Sequence, residues 1–300
     1  MFGSVPVIRS EVFSVLPDKF RKDQPKKAKK SPRFHVVDSF LEGPSFDRDG
    51  NLWIVDIPHG RIFKISPKGE WDLVVQYDGE PNGLKIHKDG RIFVADYQHG
   101  ILVLDPKTAR TEPLIEWRHT ERLRGVNDLV FASNGDLYFT DQGLTSLSDP
   151  TGRVYRYTAA GKLECLLYNA PSPNGIVLSP KEDWLYIAMT VTSSVWRMPP
   201  SADGSAKVRI HTQMVCGGAD GLAVDEDGNV VIANVGMGLL WLVDKRGMPL
   251  HRIDSCGGNL ATNIAYSPSD RKQLYITDSE HGRILVADMP VAGQKLYSHM

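Results

Sequence analysis

Six polar residues recur at near-even intervals along the 300-residue chain: Glu42, Asn82, Asn127, Asn174, Asp220 and Asn263, separated by 40, 45, 47, 46 and 43 positions. Each opens a short apolar run that leads through a turn into a second apolar run. Four of them, Glu42, Asn127, Asn174 and Asp220, offer two carboxylates and two amide carbonyls. All are hard oxygen donors, and no thiol or imidazole stands at an opening position. Gathered at one point, this set suits a single divalent cation: calcium first, with magnesium, manganese or zinc as alternatives. The two carboxylates would neutralise the ion and leave its other positions to water or substrate. An isolated Asn or Asp at a strand start often only satisfies nearby backbone groups. That habit does not explain all six positions, one of them a glutamate.

Such residues meet only if the chain gathers them. About 14 residues after each opener the second run ends, at Asp56, Asp96, Asp141, Met189, Asn234 and Asp278. Units of about 44 residues, six in number, predict an all-β chain: a six-bladed β-propeller of four-stranded antiparallel blades. The blades start near 42, 82, 127, 174, 220 and 263, within one domain spanning 1–300. The second runs, 52–55, 92–95, 137–140, 185–188, 230–233 and 274–277, are nearly continuous in apolar or β-branched residues, as strands covered on both faces require. Each places Trp53, Phe93, Tyr138, Tyr186, Val231 or Tyr275 at an equivalent position, predicting a packing ladder between blades. Asp49-Gly50, Asp89-Gly90, Asn134-Gly135 and Asp227-Gly228 predict tight two-residue hairpin turns. Third strands are expected at 61–65, 101–104, 153–157, 194–198, 239–243 and 283–287. Fourth strands are expected at 73–77, 112–117, 163–167, 208–213 and 250–255. The sixth blade runs short, because Pro290 and Gly293 break any strand after Ala287. Residues 11–16, within the N-terminal stretch 7–40, are expected to close the ring and cover the open edge.

The remaining composition narrows the function classes. A net charge of −1 with 41% apolar residues describes a globular chain with no overall field for nucleic acid or membrane. Cys165, Cys216 and Cys256 are too few and too scattered for a disulfide framework or a zinc motif, and fit a reducing compartment. No secretory leader and no membrane-length apolar run are present, so the expected location is the cytoplasm. The basic run between Lys19 and Lys30 reads as a solvated loop ahead of the first blade.

Strand direction puts the loops after the second strands on the same face as the openers. Substrate contacts are therefore expected there from His59, His99 and His281, each preceding a turn glycine, and from Asn82, Arg124, Met189, Met237 and Asn263. Ile57, Leu144, Met189 and Met237 would make a rather apolar wall. The loop 142–152 is a candidate lid.

Four segments carry a family resemblance: Glu42 to Phe46 (EGPSF), Val126 to Val130 (VNDLV) with Tyr138 to Asp141 (YFTD), Pro173 to Ser179 (PNGIVLS) and Gly217 to Asp225 (GGADGLAVD). In order and at blade spacing they resemble the gluconolactonase/senescence marker protein family and the related diisopropyl fluorophosphatase, over about residues 11–289. The resemblance implies one catalytic metal on the propeller axis. Its ligands would be Glu42, Asn174 and Asp220, with Asn127 as ligand or substrate anchor and Asp220 as general base or nucleophile. The function implied is metal-dependent hydrolysis of a small-molecule lactone to a hydroxy acid. The alternatives are phosphotriester or fluorophosphate hydrolysis at the same site and a non-catalytic binding propeller with a structural metal. A metal-free branch resembling strictosidine synthase is disfavoured by the full oxygen-donor ring. Two departures stand out. Where animal lactonases carry a sugar-contacting arginine two residues before the blade-three asparagine, this chain has Gly125, with Arg124 one step earlier. Ala223 replaces the acid that helps hold a second calcium in the fluorophosphatase, so no equivalent second site is expected.

Overall fold

A computed structural model describes residues 5–21, 38–201 and 207–300. The basic run from residue 22 onward lies outside the described residues. Six antiparallel blades follow one another, each built outward from an inner strand. The inner strands are Leu41–Phe46, Pro81–Ile86, Val126–Phe131, Pro173–Leu178, Gly218–Val224 and Ala261–Tyr266. Each packs beside the inner strand of the next blade, and the sixth returns to the first, so the described chain closes a six-bladed propeller.

Burial explains the sequence pattern. Second strands such as Leu52–Asp56 and Leu185–Met189 are buried at every residue. The outermost strand of the first blade, Trp71–Gln76, is largely open to solvent. Apolar clusters lie between blades: Trp53, Val55 and Ile62 of the first pack against Leu84, Val94 and Leu104 of the second. The aromatic ladder forms there, with Trp53, Phe93, Tyr138 and Tyr186 all buried. Tyr275 is half-buried between Phe13 and Phe46, edge to face at 5.0 Å from each.

The hairpin turns differ in detail from expectation. Gly50 N donates to Asp47 O at 3.2 Å and Asp47 N to Asn51 O at 3.0 Å, leaving a three-residue loop rather than two. Gly50 sits at φ +81°, the left-handed position such loops reserve for glycine.

The N-terminal segment closes the ring. Glu11–Val15 pairs antiparallel with Arg283–Asp288 as the fourth strand of blade six. Ahead of it, Val7–Arg9 adds an unanticipated fifth strand to blade five, parallel to Pro249–Asp254. The C-terminal segment holds no further strand, but it crosses the face opposite the openers. Gly293 bridges Asp225, Gln294 Nε2 donates to Leu178 O at 2.8 Å, Tyr297 packs on Phe131 and His87, and Arg48 Nε donates to Ser298 O at 2.9 Å. It thereby links blades five, four, three, two and one.

One buried group gives the fold a pH dependence. His211, 6% exposed, packs on Tyr186 in the outer part of blade four. Burial, then the nearby charge of Arg197, pushes its imidazole from 6.5 to about 4. A folded pKa below the unfolded one means that protonation favours the unfolded chain. The contribution is whole above pH 6.5 and is lost as pH falls toward 4, amounting to roughly 3 kcal/mol. Thermal melts of wild type and His211→Phe across this range should diverge, with the variant less acid-sensitive; parallel curves would remove His211 as the cause.

Candidate active site and metal centre

Each inner strand begins the same way. Near its start Leu41, Pro81, Val126, Pro173, Ala219 or Ala261 faces the end of the second strand, at Asp56, Asp96, Asp141, Met189, Asn234 or Asp278. The ladder is then irregular for one or two inner-strand residues in every blade before regular pairing resumes, in blade one just after Glu42, which still faces Val55. Bulges of this kind re-aim side chains. The next residue is Glu42, Asn82, Asn127, Asn174 or Asp220 in the first five blades, all at most 7% exposed. Each of these five therefore holds an equivalent position near the start of an inner strand, the end called the mouth below.

Blade six departs from the expected register. The residue after Ala261 is Thr262, so Thr262 and not Asn263 is the structural equivalent of the openers. Thr262 bonds the Thr277 and Ser279 hydroxyls at 3.0 and 2.7 Å. Asn263 lies one step deeper, equivalent to Asp128 in blade three. Asp128 N and Asn263 N each donate to a threonine hydroxyl oxygen, of Thr140 and Thr277, and the next amides, of Leu129 and Ile264, donate to the Asp128 and Asn263 side chains at 2.8 Å.

The amides at the mouth are oriented by neighbours the motifs did not single out. Asn127 Nδ2 donates to Gln142 Oε1 at 2.9 Å, and Gln142 Nε2 is held by Ser172 Oγ. Asn174 Nδ2 donates to Thr190 Oγ1 at 3.1 Å, and that hydroxyl donates to Ala219 O. Gln142 and Thr190 each directly follow the end of a second strand, a positional signal present in the repeat. Asn82 Nδ2 is buried without a hydrogen-bond partner. With their N–H₂ groups engaged, Asn127 and Asn174 keep carbonyl oxygens for a ligand. Glu42 Oε2 accepts from Gly43 N and Asn263 Nδ2, both at 2.9 Å. Burial above all pushes the Glu42 carboxyl up to about 7, against the lowering by those two bonds and with a smaller raising by Asp128.

This donor set fits a hard divalent cation: two carboxylates, Glu42 and Asp220, and two amide oxygens whose nitrogens are committed elsewhere. Among the described residues no three His, Cys, Asp or Glu side chains converge as a metal group, so the amides are integral to any such site.

The rim residues lie as follows. His59 Nε2 bonds Asp38 O at 2.8 Å and His99 Nε2 bonds Asp78 O at 2.6 Å, each pinning the loop that enters its own blade. His281 Nδ1 faces Asp278 Oδ2 at 3.2 Å, and its carbonyl accepts from Arg21. Arg124 bonds Thr151 Oγ1 through its guanidinium, and its amide donates to Asp141 Oδ1. Ile57 and Met189 are fully buried in blade cores, whereas Leu144, Leu147 and Met237 are exposed. The expected apolar wall is thus reduced to the exposed members. The 142–152 loop is tied at its base, Thr145 Oγ1 donating to Gln142 O and accepting from Ser172 N. At Gly125 an added Cβ would lie 2.5 Å from the Tyr97 ring. The tyrosine fills the space of any side chain there.

Comparison with known proteins agrees with this architecture. A family model described as SMP-30/Gluconolactonase/LRE-like region matches residues 40–280. A lactonase, drp35, from Staphylococcus aureus is 32% identical over 227 residues, covering 71% of this chain and 69% of its own. Among solved structures, a gluconolactonase from Xanthomonas campestris superposes with TM-score 0.74 at 23% identity, covering 84% of this chain and 86% of its own. The calcium-binding protein regucalcin from Agrobacterium tumefaciens gives 0.78 at 20% identity, covering 98% and 99%. The repeat, the closed ring, the four motifs in order and a family match over most of the length together make this chain a member of the SMP-30/gluconolactonase/LRE-like family.

Proposed function

We propose that the protein is a divalent-cation-dependent lactone hydrolase. The reading is supported by the equivalent placement of Glu42, Asn127, Asn174 and Asp220 near the starts of their inner strands, and by the bonds that commit both amide nitrogens to Gln142 and Thr190 and leave their oxygens for a ligand. The lactonase and gluconolactonase relatives and the calcium-binding neighbour support the same chemistry. Glu42, Asn127, Asn174 and Asp220 would hold the cation, calcium in the first instance. When bound, it would supply Lewis-acid polarisation of the ester carbonyl. Asp220 takes the proton from an attacking water as general base. Asn127 keeps the lactone in register, and Asn82 offers a buried N–H to it. His59, His99, His281 and Arg124 shape the rim through the loop contacts described above.

The rim favours a less polar lactone than a sugar lactone. Tyr97 occupies the space beside Gly125, and Leu144, Leu147 and Met237 stand exposed around the mouth. A panel of aldonolactones, aromatic lactones and a fluorophosphate, assayed after chelation and after return of calcium, magnesium, manganese or zinc singly, tests the reading. Lactone turnover should fall at least about 100-fold on chelation and return with calcium. Turnover indifferent to chelation, or confined to the fluorophosphate, would overturn it.

A further inference from the structure

Directly beneath the mouth the axis narrows to a second tier. There the residue after the opener is glycine in four blades, Gly43, Gly83, Gly175 and Gly221, and a polar side chain in the other two, Asp128 and Asn263. Blades three and six are opposite one another in a six-membered ring, so these two side chains meet across the axis. The neighbouring glycines make the room: a Cβ at Gly83 would lie 2.9 Å from Asp128 Oδ1, and one at Gly221 would overlap the Asn263 side chain. Both tier residues are almost fully buried, 2% exposed each.

Their contacts tie the tier to the mouth. Asn263 Oδ1 accepts from Ile264 N at 2.8 Å, which fixes the amide's orientation. Its Nδ2 then donates to Glu42 Oε2 at 2.9 Å, with the Asp128 carboxyl beside it. Asp128 accepts in turn from the Leu129 amide and faces Lys85, whose Nζ lies 3.8 Å from Oδ1. The amide is thus bonded to one buried carboxylate and adjoins a second, and the Lys85 ammonium offsets the charge of the lower one. Nothing in this arrangement is required for strand pairing, since four blades dispense with a side chain at the same position.

We propose that Asn263 and Asp128 are positioning residues that hold the Glu42 carboxylate in its ligating orientation, and that neither touches substrate. The inference rests on the cation-site reading of the mouth and assigns Asn263 a role below the site instead of at its wall. Outer partners of metal-binding side chains typically contribute 10–100-fold in affinity.

The test is calorimetric titration of calcium into chelator-treated wild type and Asn263→Ala, alongside lactone kinetics at saturating calcium. The variant should bind calcium about 10–100-fold more weakly, with KM moved less than about threefold. Equal calcium affinity in the two proteins overturns the proposal. So does a KM raised tenfold or more at unchanged calcium affinity, because Asn263 then contacts substrate. A wild type that takes up no calcium overturns the cation site itself, and this inference with it, so the two failures are distinguishable. Should the alanine variant not fold, Asn263→Ser, whose shorter side chain withdraws the amide donor from Glu42, decides between the same outcomes.

Discussion

Asp220→Asn is expected to lower kcat for lactone hydrolysis by about 10²–10⁴ at saturating cation, with the fold intact. The side chain is 7% exposed at the upper end of the blade-five inner strand. Asparagine matches its volume, so packing is preserved. Two losses are superimposed. Removing one of two carboxylates weakens the cation, which more cation can restore. Removing the proton acceptor lowers kcat at every cation concentration. Titrating calcium during the assay separates them: a deficit that persists at saturation belongs to the general base, and one that vanishes belongs to the ligand set alone. Full turnover in a folded variant would end the mechanism.

A chain lacking residues 1–16 is expected to lose its cooperative unfolding transition. Glu11–Val15 is the outer strand of blade six, and without it Arg283–Asp288 becomes an unpaired edge. Leu16, 1% exposed, leaves the core between blades one and six, where burial of one such side chain contributes about 1.5–3 kcal/mol. Ser14 joins the same seam: its hydroxyl donates to Gly69 O at 2.8 Å and accepts from Trp71 Nε1 at 2.7 Å. Loss of Val7–Arg9 strips blade five as well. Together these approach the whole net stability of an ordinary domain, about 5–15 kcal/mol. Calorimetry of the truncated chain should show no sharp endotherm; a transition unchanged from wild type would mean that the ring closes without this strand.

Much of this molecule was legible in residue order because a propeller repeats one local problem. Every second strand must be apolar on both faces, so runs such as 52–55 and 185–188 announce themselves without knowledge of their neighbours. Every inner strand starts at the same height, so the period alone implies that Glu42, Asn82, Asn127, Asn174 and Asp220 share a mouth. The short sixth blade likewise demanded a strand from elsewhere, and residues 11–15 were the available β-prone segment.

Other features depend on contacts between distant segments. Asn263 read as an opener because it is a polar residue at the right spacing; its depth was set by the Ala261–Asp278 pairing and the Thr277 hydroxyl. A one-residue register difference leaves no mark in composition when Thr262 and Asn263 are both polar. His59 and His99 could face solvent, substrate or backbone, and the carbonyls of Asp38 and Asp78 decided which. The C-terminal segment has no periodicity to read, because its hydrogen bonds and ring contacts run to several different blades. Residue order alone therefore determined the all-β class, the number of blades and the order of their strands, since each follows from burial and strand pairing within a unit. Register, side-chain orientation and the tier beneath the mouth were decided only by tertiary structure, since the partners that fix them lie in other blades.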